Sequence, residues 1–223
     1  MMLATRVCVV GGGPAGMMLG YLLARAGVAT VVVEKHGDFL RDFRGDTVHP
    51  STLRLLDELG LLDSFLERPH QRLDEIGADV GGRHFKLADF SHLPARYAFI
   101  AFMPQWDFLD FLADQAAKLA DFQLLRSTEA IGLIEQDGRI AGVRARQDGK
   151  AIEVRCDLAV GCDGRSSTIR AAAGLATRTL GAPIDVFWFR VPRSPGDDDN
   201  TLGRFMPGRF MVTINRGDYW QCA

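Results

Sequence analysis

Gly11, Gly13 and Gly16 stand at the spacing of a turn that can hold a diphosphate, and Glu34 stands where an acid can hold a ribose. The stretch reads Val7-Cys8-Val9-Val10, then Gly11-Gly12-Gly13-Pro14-Ala15-Gly16, then an apolar helical run, then Val31-Val32-Val33-Glu34-Lys35. The three glycines satisfy G-x-G-x-x-G between a strand and a helix. The first permits the tight turn, the second lets a pyrophosphate approach the backbone, and the third lets the helix lie close on the sheet. The helix N-terminus, opened by Pro14 and Ala15, offers N–H groups and partial positive charge to phosphate. Glu34 ends the second strand 18 residues after Gly16, where a carboxylate can accept both hydroxyls of an adenosine ribose. The alternative for this stretch is a glycine turn in an ordinary α/β domain. The register of strand, helix, second strand and acid favours dinucleotide binding.

Other candidates are plainer. His36, His49, His70, His84 and His92 have no metal-ligand spacing and read as surface or packing residues. Cys8, Cys156, Cys162 and Cys222 form no C-x-x-C pair. They read as reduced thiols, which points to a cytoplasmic address. No Ser/His/Asp or Cys/His set stands out, so no catalytic residue is nominated and no metal is expected. A net charge of -2 with scattered basic residues gives no case for nucleic acid. No apolar run is long enough to span a membrane, and the chain enters its first strand with no room for a signal peptide.

The elements that must position these residues follow from periodicity. Apolar spacing predicts a helix over 51–66, broken at Gly60, and another over 106–119. Strands are expected at 73–80 and 84–87, joined by Gly81-Gly82. A β-meander is expected over 130–135, 140–146 and 152–160, turned by Asp137-Gly138 and Asp148-Gly149. It runs into Gly161-Cys162-Asp163-Gly164 and a short helix near 166–173. A second antiparallel region has strands at 184–191, 202–206, 210–215 and 219–222. Phe187, Trp188 and Phe189, consecutive on the first of these, would face alternate sides.

Several separate motifs resemble the flavin-dependent aromatic hydroxylases, the group A FAD and NAD(P)H monooxygenases. They are the glycine turn with Glu34; Arg44 in Asp42-Phe43-Arg44-Gly45 ahead of Pro50-Ser51-Thr52-Leu53; Pro104-Gln105 at a helix start; and Gly161-Cys162-Asp163-Gly164-Arg165. The resemblance implies an α/β fold: a glutathione-reductase-like, Rossmann-type FAD-binding domain with a β-meander, plus part of an antiparallel-sheet substrate domain. It implies residues 1–72 and 98–180 for the first domain, and 73–97 and 181–223 for the second. It assigns cofactor contacts to Gly11, Gly13, Pro14, Ala15, Gly16, Glu34, Lys35, Arg44, Gln105, Asp163 and Gly164. Arg44 would meet the pyrophosphate, Gln105 the flavin side, and Asp163 the pyrophosphate. A solvated arginine, a helix cap and a self-bonded turn are the plainer readings of those three.

The activity so implied is hydroxylation of an aromatic small molecule with O2, through a flavin hydroperoxide, with NADH or NADPH as co-substrate. A related reductase or halogenase, or a non-catalytic nucleotide-binding fragment, are the alternatives. The resemblance leaves a homodimer open. Gly217-Asp218 is followed by Tyr219-Trp220 rather than by small residues and a His, so it is not the family's third flavin motif. The expectation is that the 223 residues are the N-terminal portion of a longer enzyme.

Overall fold

The computed structural model describes residues 1–40, 47–181, 184–197 and 202–223. Two units share the chain: Met1–Leu40 with Trp106–Leu180, and Arg41–Gln105 with Gly181–Ala223.

The first unit is built on a parallel sheet in the order Leu158–Gly161, Val7–Val10, Thr30–Val33, Phe122–Leu125. Val7–Val10 and Thr30–Val33 are buried at every position, as continuous apolar runs in a parallel sheet require. The helix Pro14–Arg25 covers one face. Gly20 is a point of close approach: a Cβ there would stand 2.6 Å from Val32 Cγ2 and 2.9 Å from the Phe122 ring. The other face meets a second sheet, ordered Met2–Ala4, Lys150–Arg155, Arg139–Gln147, Thr128–Gln136. Cys8, Val10, Val31 and Val33 pack there against Val143, Ala145, Ile152 and Val154. The meander turns at Asp137-Gly138 and Asp148-Gly149 have positive φ at both residues, the geometry a two-residue hairpin demands.

One expected strand is two. Periodicity makes residues 152–160 a single run, but Lys150–Arg155 belongs to the meander and Leu158–Gly161 to the parallel sheet. The chain changes partner at Cys156-Asp157. The Cys156 N–H still donates to Ala141 O, while those of Asp157 and Leu158 donate to Arg6 O. Apolar periodicity records burial and carries no mark of which sheet does the burying.

The second unit holds a six-stranded sheet, ordered Phe189–Pro192, Tyr219–Cys222, Arg209–Asn215, Leu202–Met206, Glu75–Val80, Arg83–Asp89. All its pairs are antiparallel except Leu202–Met206 with Glu75–Val80. Ile214, with Val212 and Ile76, packs on Ile100 and Phe102 of a three-stranded sheet made of Thr47–Val48, Ile100–Phe102 and Gln71–Leu73. The helix expected over 51–66 is Pro50–Glu58 and Leu62–Leu66, parted at Gly60 with φ +72. The strand expected over 184–191 is only Phe189–Pro192, because Tyr219–Cys222 supplies hydrogen-bond partners for those residues alone.

Candidate cofactor site

The candidate residues gather at the C-terminal edge of the parallel sheet, where open α/β sheets place their ligands. Val10 and Gly161 are paired at the ends of neighbouring strands, so the turns that follow them lie side by side. The Cys162 N–H donates to Val10 O at 2.7 Å. Gly11 has φ +104, and a Cβ on it would stand 2.4 Å from the Cys162 carbonyl oxygen. Gly16 is tighter still, with its virtual Cβ 1.9 Å from the Gly11 carbonyl oxygen. No side chain crosses these gaps, so the helix seats directly on the turn. Gly13 differs: among the described residues no atom lies within 4 Å of the Cβ it lacks. The turn is walled behind by Gly11 and Gly16 and open in front at Gly13.

Gly13 is also the N-cap of Pro14–Arg25, and no described side chain caps that helix. Pro14 and Ala15 are exposed at its first turn. Glu34 follows Val33 on the next strand and is buried. Its Oε2 accepts the Gly12 N–H at 2.9 Å, and its Oε1 accepts the His36 N–H at 3.0 Å and lies 2.6 Å from His36 Nδ1. Lys35 is exposed beside it.

On the other side of the glycine turn, Asp163 ties its own turn to the short helix Thr168–Ala172. Its Oδ1 accepts from Ser167 Oγ at 2.5 Å and its Oδ2 from the Ile169 N–H at 3.1 Å. Ser167 in turn caps that helix by accepting from the Arg170 N–H. Gly164 has φ +83 and, among the described residues, open space at its missing Cβ. Burial first, and then the Asp163 carboxylate, push the Cys162 thiol above its ordinary value. The Cys8 thiol, hydrogen-bonded to Cys156 and buried, is pushed well above its own. All four cysteines are free thiols.

The first unit thus brings together Gly11, Gly13, Pro14, Ala15, Gly16, Glu34, Lys35, Asp163 and Gly164. Gln105 is the first residue of the helix Gln105–Ala116 and the last residue of the second unit before the division. Arg44 lies outside the described residues. Gly12, Gly20, His36 and Cys162 were not singled out in sequence, although Gly20 follows Gly16 by four and so shares its helix face. An open, walled turn, an uncapped helix N-terminus and a buried carboxylate one strand away are the groups a diphosphate and a vicinal diol require. The residues fit a dinucleotide.

The second unit offers apolar and aromatic surface. A cavity of about 450 Å³ is lined by Phe187, Phe189, Met206, Phe210 and Met211. A smaller one of about 270 Å³ is lined by Trp220, Met211, Arg204 and Asp197, with the Trp220 indole donating to Asp197 Oδ2 at 3.0 Å. Phe187, at 79% exposure, lies outside the strand that was expected to hold it. Among the described residues no helix is long and apolar enough to cross a membrane, and no group of three His, Cys, Asp or Glu is placed to hold a metal.

Comparison with known proteins agrees with this geometry. A family described as an FAD binding domain matches residues 4–214. A 6-methylpretetramide 4-monooxygenase of Streptomyces rimosus is 36% identical over 171 residues, covering 77% of this chain and 41% of that protein. A rifampicin monooxygenase of Streptomyces venezuelae is 33% identical over 172 residues, covering 76% of this chain and 34% of that protein. The chain therefore spans less than half the length of these relatives. Among solved structures, PqsL of Pseudomonas aeruginosa, described as a probable FAD-dependent monooxygenase, superposes with a TM-score of 0.78 at 22% identity. That match covers 98% of this chain and 59% of PqsL.

Proposed function

The chain belongs to the FAD binding domain family, among the flavin-dependent aromatic hydroxylases, and from that premise we propose that it carries FAD for the hydroxylation of an aromatic small molecule. The observation that carries the proposal is the junction of two turns. Gly11 and Cys162 meet backbone to backbone at the sheet's C-terminal edge, with Glu34 one strand away. That junction gives the ADP half of FAD its diphosphate seat on Gly11, Gly13, Pro14, Ala15 and Gly16, and its ribose partner in Glu34. Asp163 and Gly164 flank the diphosphate, and Lys35, Arg44 and Gln105 complete the set on resemblance.

When bound, FAD supplies the redox chemistry, drawing on NADH or NADPH and on O2. The chain's own residues do other work. The helix N-terminus at Pro14 and Ala15 offsets the diphosphate charge. Glu34 fixes the adenosine end through charge-assisted hydrogen bonds. The aromatic and thioether side chains of the second unit, among them Phe187, Phe189 and Met211, offer planar, polarizable surface to a ring and keep water from it. The relatives named 6-methylpretetramide 4-monooxygenase and rifampicin monooxygenase support oxygen insertion into an aromatic small molecule. Four free thiols support a cytoplasmic address.

The test is the flavin spectrum of the freshly purified protein, followed by NAD(P)H consumption with isotopically labelled O2 over a panel of phenols and polycyclic phenols. Bound FAD and one labelled oxygen in the product are expected. A protein that binds no flavin overturns the cofactor assignment. Bound flavin with reduction of substrate but no labelled oxygen overturns the hydroxylase assignment in favour of a reductase.

A further inference from the structure

We propose that His36 is a positioning residue for cofactor recognition: its ring holds the Glu34 carboxylate in the orientation that reads the adenosine ribose. The inference rests on the ribose role of Glu34 proposed above and goes beyond it by naming a side chain that orders that carboxylate.

Glu34 and His36 sit on the segment that leaves the strand Thr30–Val33. The backbone there is pinned from both sides, since the Glu34 N–H donates to Leu125 O and Glu34 O accepts from the Thr128 N–H, both at 2.8 Å. His36 O likewise accepts the Ser127 N–H at 3.0 Å. Neither residue is free to drift. The carboxylate itself is held by separate contacts at its two oxygens: Gly12 N–H on Oε2, and both the N–H and the ring Nδ1 of His36 on Oε1.

The contacts differ in what they fix. The two backbone donors tether the carboxylate to the glycine turn and to its own segment, and neither is supplied by the imidazole. The Nδ1 contact, at 2.6 Å, is the shortest of these three, and it is a side-chain contact that a substitution at position 36 removes. With Nδ1 as donor it is a charge-assisted bond, roughly twice as strong as a neutral one. The Glu34 side chain is 9% exposed, and the imidazole in contact with it is 45% exposed. A glutamate carries three rotatable bonds, and ordering it on ligand arrival costs affinity that prior ordering saves. A diol needs both carboxylate oxygens presented together, so loss of rotational order is felt at the ribose and not at the diphosphate.

The experiment is calorimetric titration of the whole chain with ADP and with dideoxy-ADP, which lacks both ribose hydroxyls. The proteins are the wild type, His36→Leu and His36→Asn. The wild type is expected to prefer ADP on the order of tenfold to a hundredfold, as charge-assisted hydroxyl contacts imply. His36→Leu should bring the two ligands to within about threefold of each other by weakening ADP alone, leaving dideoxy-ADP as the control for an intact diphosphate seat. His36→Asn places an amide N–H where Nδ1 stood and should restore most of the preference. A wild-type preference that survives unchanged in His36→Leu overturns the role of His36 and leaves Glu34 standing. A wild type that binds both ligands alike, or neither, overturns the ribose role of Glu34 and the His36 proposal with it.

Discussion

The Gly16 Cα stands so near the Gly11 carbonyl that a methyl group on it would lie 1.9 Å from the oxygen. That distance belongs to one turn closing on itself. The third glycine of the motif seats the helix on the turn, while the helix-to-sheet approach is made at Gly20, against Val32 and Phe122. The obstruction at Gly16 is backbone and cannot rotate away. Gly16→Ala should therefore displace the first turn of the helix. The gain in helix propensity is at most about 1 kcal/mol, against an overpacking cost of about 1–3 kcal/mol. FAD affinity should fall more than stability does, because the displaced N–H groups are those proposed to meet the diphosphate. Thermal melting beside flavin titration measures both, and wild-type FAD affinity in Gly16→Ala would count against the diphosphate seat.

Glu34→Ala removes the proposed ribose acceptor and leaves the Gly12 N–H without that partner. The expected loss in FAD affinity is about 1.5–3 kcal/mol, the range for hydrogen bonds to a charged group. Glu34→Gln keeps the shape and one carbonyl acceptor and should lose less. Equal affinities for the wild type and Glu34→Ala would remove Glu34 from the site.

The site was more legible than the sheets around it. Gly11, Gly13, Gly16 and Glu34 are set by local geometry, one strand-turn-helix-strand, and local geometry is what spacing encodes. The abutment of Gly11 on Cys162 joins residues far apart in the chain, and only the resemblance of Asp163-Gly164 to a family motif pointed there. His36 reads as a surface or packing residue and is exposed; nothing in its neighbours says that its ring turns back on Glu34. Short strands such as Phe122–Leu125, Met2–Ala4 and Ile100–Phe102 escaped notice. Each is too short to show a period and is a strand because a partner lies beside it. The change of sheet at Cys156-Asp157 is invisible for the same reason.

Cys162 should be the thiol that labels in the native protein. Cys8, Cys156 and Cys222 are buried, and Cys162 is half-buried beside the turn. Burial first and the Asp163 charge second hold its thiol above the ordinary value, so the thiolate is scarce near neutrality and its reaction with a disulfide reagent should be slow. The rate should climb as pH rises toward and past 9, the ordinary value. Asp163→Asn removes the second cause and should raise the rate at fixed pH, by less than full exposure would. Counting labelled thiols by mass spectrometry checks the first point and a pH series of rates the second. Rapid labelling of all four thiols without denaturant would contradict the packing.

Gly164 allows conformational strain to be separated from ligand approach. Its φ of +83 is costly for most side chains, yet among the described residues a Cβ there would meet nothing within 4 Å. Any loss of stability on substitution therefore comes from backbone strain, about 1–2 kcal/mol, and not from a clash. Asparagine tolerates left-handed backbone, whereas valine, branched at Cβ, does not. Gly164→Asn should melt closer to the wild type than Gly164→Val. Both variants should bind FAD more weakly if the diphosphate passes close over this turn, because both put a side chain into the open space. The alternative is a turn that serves only to aim Asp163 at Ser167 and the Ile169 N–H. In that case Gly164→Asn would recover stability and FAD affinity together. Melting temperature and FAD affinity measured on the same three proteins decide the matter. Recovery of both in Gly164→Asn would make Asp163-Gly164 a structural turn and leave the glycine turn and Glu34 as the cofactor's seat.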